Sequence, residues 1–286
     1  MLSINPKDIP TVKLHEYLLS VIAPRPIALA STIDVDGNPN VSPFSFFNVF
    51  SANPPILIFS PARRVRGNTT KHTLDNAKAT KEVVINMVNY DIVQQMSLSS
   101  TEYPEGINEF EKAGFTMLAS EKIKPFRVAE SPVQIECKVT EVIELGNEGG
   151  AGNLIICEVV KLHINEAFLD KEGSIDQQKL DLVARAGGSL YSRAREGFFE
   201  IPKPLSILGI GVDAIPSEIR NSSILTGNNL GMLGNVEAIP SEEDVNKFAK
   251  EHANYVGNNS TKKHTFAKAF LEKNDVISAW KVLLMN

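Results

Sequence analysis

The sequence predicts a mainly β domain, a closed or nearly closed barrel with short helical insertions, followed by a helical C-terminal extension. Three observations carry this. From Pro26 to about Val160 the apolar segments are short, rich in Val, Ile and Phe, and broken by Gly, Pro and Asn, which is strand punctuation. Helical spacing in that span is confined to brief insertions that do not alternate regularly with the strands, which disfavours a doubly wound α/β arrangement. Around Ile201-Pro-Lys-Pro204 the pattern changes to a Gly- and Asn-rich stretch and then three helix candidates. The chain therefore divides into residues 1–200 and an extension over 201–286.

Taken in order, Pro26–Ile33 reads as a strand, Asp34-Val-Asp-Gly-Asn38 as a hairpin turn whose Asp36-Gly37 supplies positive φ, and Asn40–Phe47 as the returning strand. Further strands are expected at Ile56–Ser60, Glu82–Val88, Val133–Leu145 and Asn153–Asn165. The last two are joined by the glycine-rich Gly146–Gly152 and suit a long, curling hairpin. Helical insertions are expected at Thr69–Ala79, Asp91–Leu98 and Ile107–Ala113. In the extension, Ser241 caps a helix with Asp244 three residues on, leading into Val245, Phe248 and His252 on one face. Thr261–Lys273 and Asp275–Leu284 complete the tail.

Composition narrows the function. Hydrophobic residues make up 43% and charged residues 22% of 286, so the chain folds. Its 29 Lys+Arg against 34 Asp+Glu leave a net charge of −5, which provides no basic field for nucleic acid or an anionic membrane. The extension carries nine basic and nine acidic residues, so the excess of acid belongs to residues 1–200. Cys137 and Cys157 stand alone in strands, without CxxC or clustered His, and are expected as buried, reduced thiols in an intracellular chain. The N-terminus lacks a basic region followed by an apolar stretch, and no window reaches the length of a membrane span. A cytoplasmic location is expected.

Two windows carry chemistry. Arg63, Arg64, Arg66 and Lys71 make one positive patch within the acidic part, and Gly67-Asn-Thr-Thr-Lys-His-Thr73 runs into a helix. Helix N–H groups, hydroxyls and a lysine suit a phosphate monoester, although a solvated turn has the same composition and no Walker A pattern is present. The second window is Ser42-Pro-Phe-Ser-Phe-Phe-Asn-Val-Phe-Ser51, where Phe44, Phe46 and Phe47 break strand alternation while Ser45 and Asn48 stay polar. It fits either a flat, partly polar ligand or a twisted core strand.

Several short segments, in order, resemble the flavin reductase-like family. They are Arg25-Pro-Ile-Ala-Leu-Ala-Ser-Thr32, the Asp36-Gly37 turn, Ser42-Pro-Phe-Ser-Phe-Phe-Asn48, Pro54-Pro55, Lys71-His-Thr73, Val84-Ile-Asn86 and Gly187-Gly-Ser-Leu-Tyr191. The resemblance spans about residues 15–195 and implies an FMN-binding split β-barrel. It places Ala30, Ser31 and Thr32, and Ser45, Phe46, Phe47 and Asn48, beside the flavin, with Arg25 as a further polar contact or a rim ion pair. It places Lys71 and Thr73 at the phosphate, while His72 stands where the family has Asp. His163 matches a histidine that contacts nicotinamide or rests half-buried on a carbonyl, and Tyr191 either closes the pocket or packs in the core.

The resemblance further implies a homodimer, with the Gly146–Gly152 hairpin as a candidate contact, and flavin redox chemistry supplied by the cofactor. Gly209-Ile-Gly211 and Gly227–Gly234 do not match the dinucleotide fingerprint, so NAD(P)H would bind without a Rossmann fold. Three functions follow as expectations: an NAD(P)H-dependent, FMN-binding oxidoreductase of flavin reductase type with a possible monooxygenase partner; an FMN-holding electron-transfer protein of flavoredoxin type; and a barrel serving as a binding module for another anion.

Overall fold

The computed structural model describes residues 1–65, 67–104, 106–202, 208–257 and 259–285. Two compact units emerge, Met1–Phe199 and Glu200–Asn286. The first opens with helix α1 (Thr11–Val21) and a two-residue strand β1 (Arg25–Pro26). Two hairpins follow, β2 (Ala28–Ile33) with β3 (Pro39–Phe44) and β4 (Phe47–Ala52) with β5 (Pro55–Phe59). Helix α2 (His72–Thr80) leads into β6 (Glu82–Met87). Helices α3 (Val93–Leu98) and α4 (Glu109–Ala113) precede a small ladder of β7 (Met117–Leu118) and β8 (Arg127–Val128). The long pair β9 (Val133–Glu144) and β10 (Asn153–Ile164) then completes the main sheet. Helix α5 (Gln177–Leu180), β11 (Val183–Arg185) and β12 (Tyr191–Arg193) close the unit, with β1, β11 and β12 forming a separate sheet.

The main sheet is antiparallel and seven-stranded, in the order β3-β2-β6-β9-β10-β5-β4. Its edge strands β3 and β4 are consecutive in the chain and joined only by Ser45 and Phe46. Six strand spacings of ~4.8 Å would separate the edges of a flat sheet by about 29 Å, whereas three peptide steps reach only about 11 Å. The sheet must therefore curl until its edges approach. A ring contact between Phe44 of β3 and Phe59 of β5, centroids 5.5 Å apart, reports the same closure. Among the described residues no ladder joins β3 to β4.

Alternation along β2 serves two cores. Ala28 and Ala30 point with Phe44, Phe59, Val83, Ile85, Cys137, Ile155 and Cys157 into the interior, which α2 enters through Leu74 and Ala77. Ile27 and Leu29 belong to a second core with Met96 of α3 and Phe110 of α4. Both cysteines are free and buried, and burial pushes the Cys137 thiol up to about 12.

Several expectations need correction. The single strand expected over Asn40–Phe47 is two strands with a corner at Ser45–Phe46, and the second continues to Ala52. The helix expected from Thr69 begins at His72, because the Thr69 backbone O accepts from Arg64 N and the Thr70 backbone O from the Arg64 guanidinium, which hold this segment extended. Helix α1 has no counterpart among the expected elements.

The second unit contains α6 (Ser217–Arg220), α7 (Gly227–Gly234), α8 (Glu242–Glu251), α9 (Ser260–Leu271) and α10 (Val276–Leu284). Ser241 caps α8 by accepting from Asp244 N. Trp280 is fully buried at the centre, its indole N–H donating to Leu233 O at 3.0 Å. Helix α7 forms within the Gly- and Asn-rich stretch, where no helix was expected: Thr226 and Asn229 make a reciprocal capping box, and Leu233 is fully buried. The whole chain is thus mixed α and β rather than mainly β. Among the described residues no helix is long and apolar enough to cross a membrane.

Candidate functional site

The basic segment is held in place by the glycine-rich tip of the β9–β10 hairpin. A Cβ on Gly149 would lie 2.8 Å from Val65 O and 3.1 Å from Arg64 O, so only glycine lets that backbone lie flat on the tip. Arg63 N donates to Ala151 O at 2.8 Å and Gly150 N to Arg63 O at 3.0 Å. The same tip, the candidate contact with a second copy, seats this chain's own residues 63–65. Arg63 turns aside to Asn68, donating from Nε to its Oδ1 at 2.6 Å. Arg64 is braced by Thr69 Oγ1 at 2.9 Å and Thr70 O at 2.8 Å. Lys71 is the N-cap residue of α2, and Arg66 lies outside the described residues.

Arg64 and Lys71 face a small pocket walled by Ser42 on one side and by Ser99, Ser100 and Thr101 on the other. Of the first-turn N–H groups of α2, Leu74 N already donates to Lys71 O at 2.9 Å, whereas those of His72 and Thr73 precede the intrahelical ladder and add partial positive charge. One carboxylate already stands among these cations: Glu102 Oε1 lies 2.7 Å from Arg64 Nε and 3.6 Å from Lys71 Nζ. The Arg64 hydrogen bond and charge, then Lys71, hold this carboxyl below its ordinary range.

Through Ser100 the pocket adjoins a cleft of about 270 Å³ lined by Ile27, Pro43, Phe44, Ser45, Met96, Ser97, Arg185 and Tyr191. Arg185 stacks over Tyr191, 4.6 Å from its ring centroid, and donates to Leu190 O at 3.1 Å. Arg25 is buried beneath, bonded to the carbonyls of Leu19, Ile22 and Ala186 and to Ser45 Oγ at 3.4 Å. It is neither a rim ion pair nor exposed to the cleft; it clamps the end of α1 to β11.

Other expected site residues stand farther inside. Ala30, Ser31 and Thr32 have no exposed surface. The Ser31 hydroxyl donates to Phe126 O, and Thr32 Oγ1 accepts from Asn76 Nδ2 at 3.1 Å. Thr73, by contrast, belongs to the wall of the cationic pocket with Lys71; it is buried and donates from Oγ1 to Asn40 Oδ1 at 2.8 Å, which fixes the start of α2 against β3. His72 lines the pocket beside Glu109. Burial pushes the Glu109 carboxyl up, opposed by Val41 N–H, Asn40 and His72.

Phe46 is half-exposed at the corner and meets His15 of α1 edge-on at 6.2 Å. Phe47 packs on the barrel interior, and Asn48 is exposed, its side-chain O accepting from Val49 N. His163 sits on the outer face of β10, with Nε2 2.6 Å from Glu136 Oε1 and Nδ1 3.7 Å from Glu121 Oε1. Its partner is a buried carboxylate, not the backbone carbonyl of the duller expectation.

These features bring a cationic pocket and an aromatic-walled cleft together on one barrel, and residues 21–179 match the model of the flavin reductase like domain. The chain belongs to the flavin reductase-like family. An uncharacterized protein of Halalkalibacterium halodurans is 34% identical over 199 residues, covering 69% of this chain and 94% of the relative. Among solved structures, nitrilotriacetate monooxygenase component B from Bacillus cereus is 31% identical, with a TM-score of 0.65 over 70% of this chain and 98% of that one. A Shewanella frigidimarina protein with a split barrel domain is 25% identical, with a TM-score of 0.60 over 71% of this chain and 100% of that one.

Sequence reasoning missed three parts of this candidate site. Glu102 closes a hydroxyl-rich run, Ser99-Ser-Thr101, whose composition at a helix end was the available signal. Asn40 hid within a strand. Arg185, six residues past the family match, carries no local signal at all.

Proposed function

We propose that this chain is an FMN-dependent oxidoreductase of flavin reductase type, reduced by NAD(P)H. The observation that carries the proposal is the continuity, through Ser100, of a cationic pocket with an apolar-walled cleft. A ligand with a phosphate at one end and a flat ring at the other matches that sequence of environments. Arg64, Lys71 and the N–H groups of His72 and Thr73 hold the phosphate. Phe44, Pro43 and Met96 flank the ring, and Ser45 and Ser97 offer hydroxyls to its polar edge. Ala30, Ser31 and Thr32 shape the wall from behind and Thr73 stands within it, with their hydroxyls already committed. Bound flavin supplies the redox chemistry, so the protein's part is to orient the ring and leave one face open to a reductant.

The Bacillus cereus relative is a monooxygenase component, which supports a role in supplying electrons to an oxygenase partner. A homodimer also belongs to this reading. Helix α1 has no buried residue, and Phe46, Val49 and Phe50 on the neighbouring corner and edge strand are exposed, a surface suited to cover by a second copy. Titration with FMN, followed by visible absorption and then by NADH or NADPH oxidation, tests the proposal. FMN binding with nicotinamide turnover supports it, binding without turnover favours an electron carrier, and no binding to FMN refutes it.

A further inference from the structure

The floor of the ring cleft holds an unusual charge arrangement. Arg25 of β1 and Arg185 of β11 are direct cross-strand partners in an antiparallel pair. Like charges placed opposite one another destabilise a sheet, and burial of a charge without a counter-charge adds to that cost. Among the described residues no salt bridge reaches either guanidinium; Arg25 meets only carbonyls and a hydroxyl, and Arg185 a carbonyl and the Tyr191 face. The neighbouring Arg193 is fully paired with Asp181, at 2.6 and 3.0 Å, so acidic partners are available in this region and withheld from the cleft. Burial, and after it the facing Arg185, lower the Arg25 pKa.

The arrangement has one free direction. Arg25 is buried and saturated, whereas Arg185 is half-buried and lines the cleft. The other end of the groove already contains an internal anion, Glu102, between its cations. The ring end has none, so it favours a ligand that brings its own negative charge. Resting on the flavin reading above, we propose that Arg185 holds the negative charge that the flavin ring acquires on reduction, so that this chain binds reduced FMN more tightly than oxidised FMN. Hydride transfer from an external reduced nicotinamide delivers two electrons and one proton to a neutral ring. The ring is left as a monoanion and the donor as its pyridinium, so charge balances with no further reactant. A fixed guanidinium beside that developing charge needs no reorganisation as it forms.

The test compares full-length protein with Arg185→Gln and Arg185→Lys. Dissociation constants for oxidised FMN come from fluorescence quenching, and the midpoint potential of bound FMN from spectroelectrochemistry. The expected result is tighter binding of reduced FMN in the wild type and at least about a tenfold loss of that preference in Arg185→Gln. For a two-electron couple this is a fall of about 30 mV. Arg185→Lys retains most of the wild-type potential, which a purely structural stacking role on Tyr191 does not predict. An unchanged potential in a folded Arg185→Gln variant overturns the proposal while leaving flavin binding intact. Should that variant fail to fold, wild-type protein that prefers oxidised FMN overturns it equally. Wild-type protein that binds no FMN refutes the flavin reading itself, and this inference with it.

Discussion

Replacing Glu102 by Gln should tighten FMN binding, because the phosphate must displace this carboxylate from Arg64 and Lys71. The magnitude follows from the geometry. The Glu102 side chain is 61% exposed, against 24% for Arg64 and 27% for Lys71, so solvent screening keeps each pair within the 0.2–1 kcal/mol of exposed ion pairs. The Arg64 contact at 2.7 Å belongs near the top of that range and the Lys71 contact at 3.6 Å near the bottom. Together they oppose the phosphate by about 1–1.2 kcal/mol, or roughly a five- to eightfold change in dissociation constant. Quenching of flavin fluorescence, with FMN and riboflavin titrated in parallel, separates this from a general effect on the groove. FMN should tighten while riboflavin stays constant, and the gain should shrink with added salt and in an Arg64→Gln background. Equal tightening of both flavins, or weaker FMN binding, would refute the competition between Glu102 and phosphate.

Lys71→Ala removes a phosphate partner and should weaken FMN binding by about 1.5–3 kcal/mol if the contact is charge-assisted, again without change for riboflavin. Asn86 is fully buried, donates to Leu29 O and accepts from Val128 N, both at 2.9 Å. Asn86→Ala strands two buried backbone groups and should lower stability by about 2–4 kcal/mol in urea unfolding. Glu136 is also fully buried, and desolvation alone would raise its pKa. Hydrogen bonds from Glu121 N and Lys122 N, together with His163, outweigh this and hold it below the ordinary carboxylate value. A depressed folded pKa means the stabilisation is present above the unfolded pKa and lost as pH falls through the folded one. Protection of the Glu121 and Lys122 amides, taken relative to their intrinsic exchange rates, should therefore fall on acidification through the carboxylate range, and unchanged protection would contradict the assignment.

Elements whose burial enforces a period were legible in the sequence. So was a turn set by local bonding rather than burial: Asp34 accepts from Asp36 N and Asn38 N at 2.9 and 2.8 Å, and Gly37 has φ of +89°. Strand β4 was not legible as a separate strand, because Phe46, Val49 and Phe50 are exposed at a corner and an edge, where alternation marks no core. Helix α1 buries nothing and so shows no apolar stripe set by packing. Helix α7 contains three glycines, against propensity, and depends on its cap and on tertiary burial. In the site, Arg64 and Lys71 were visible because they are neighbours in sequence. Arg25 and Arg185 meet only through a strand pairing between distant segments, and nothing local announces such a pairing.

On the proposed flavin reading, the two ends of the groove therefore regulate different quantities. At the phosphate end Glu102 competes with any phosphate monoester, whatever the oxidation state of the ring, so it sets how readily flavin exchanges. At the ring end Arg185 acts only when the ring becomes anionic, so it sets the preference between redox states. Titration of riboflavin and FMN, each oxidised and reduced, resolves the two effects. A change at Glu102 moves both FMN values together and neither riboflavin value, whereas a change at Arg185 moves both reduced values and neither oxidised one. If the Glu102 and Arg185 effects prove inseparable in that matrix, the groove does not divide into a phosphate end and a ring end, and a ligand of this polarity has been laid along it wrongly.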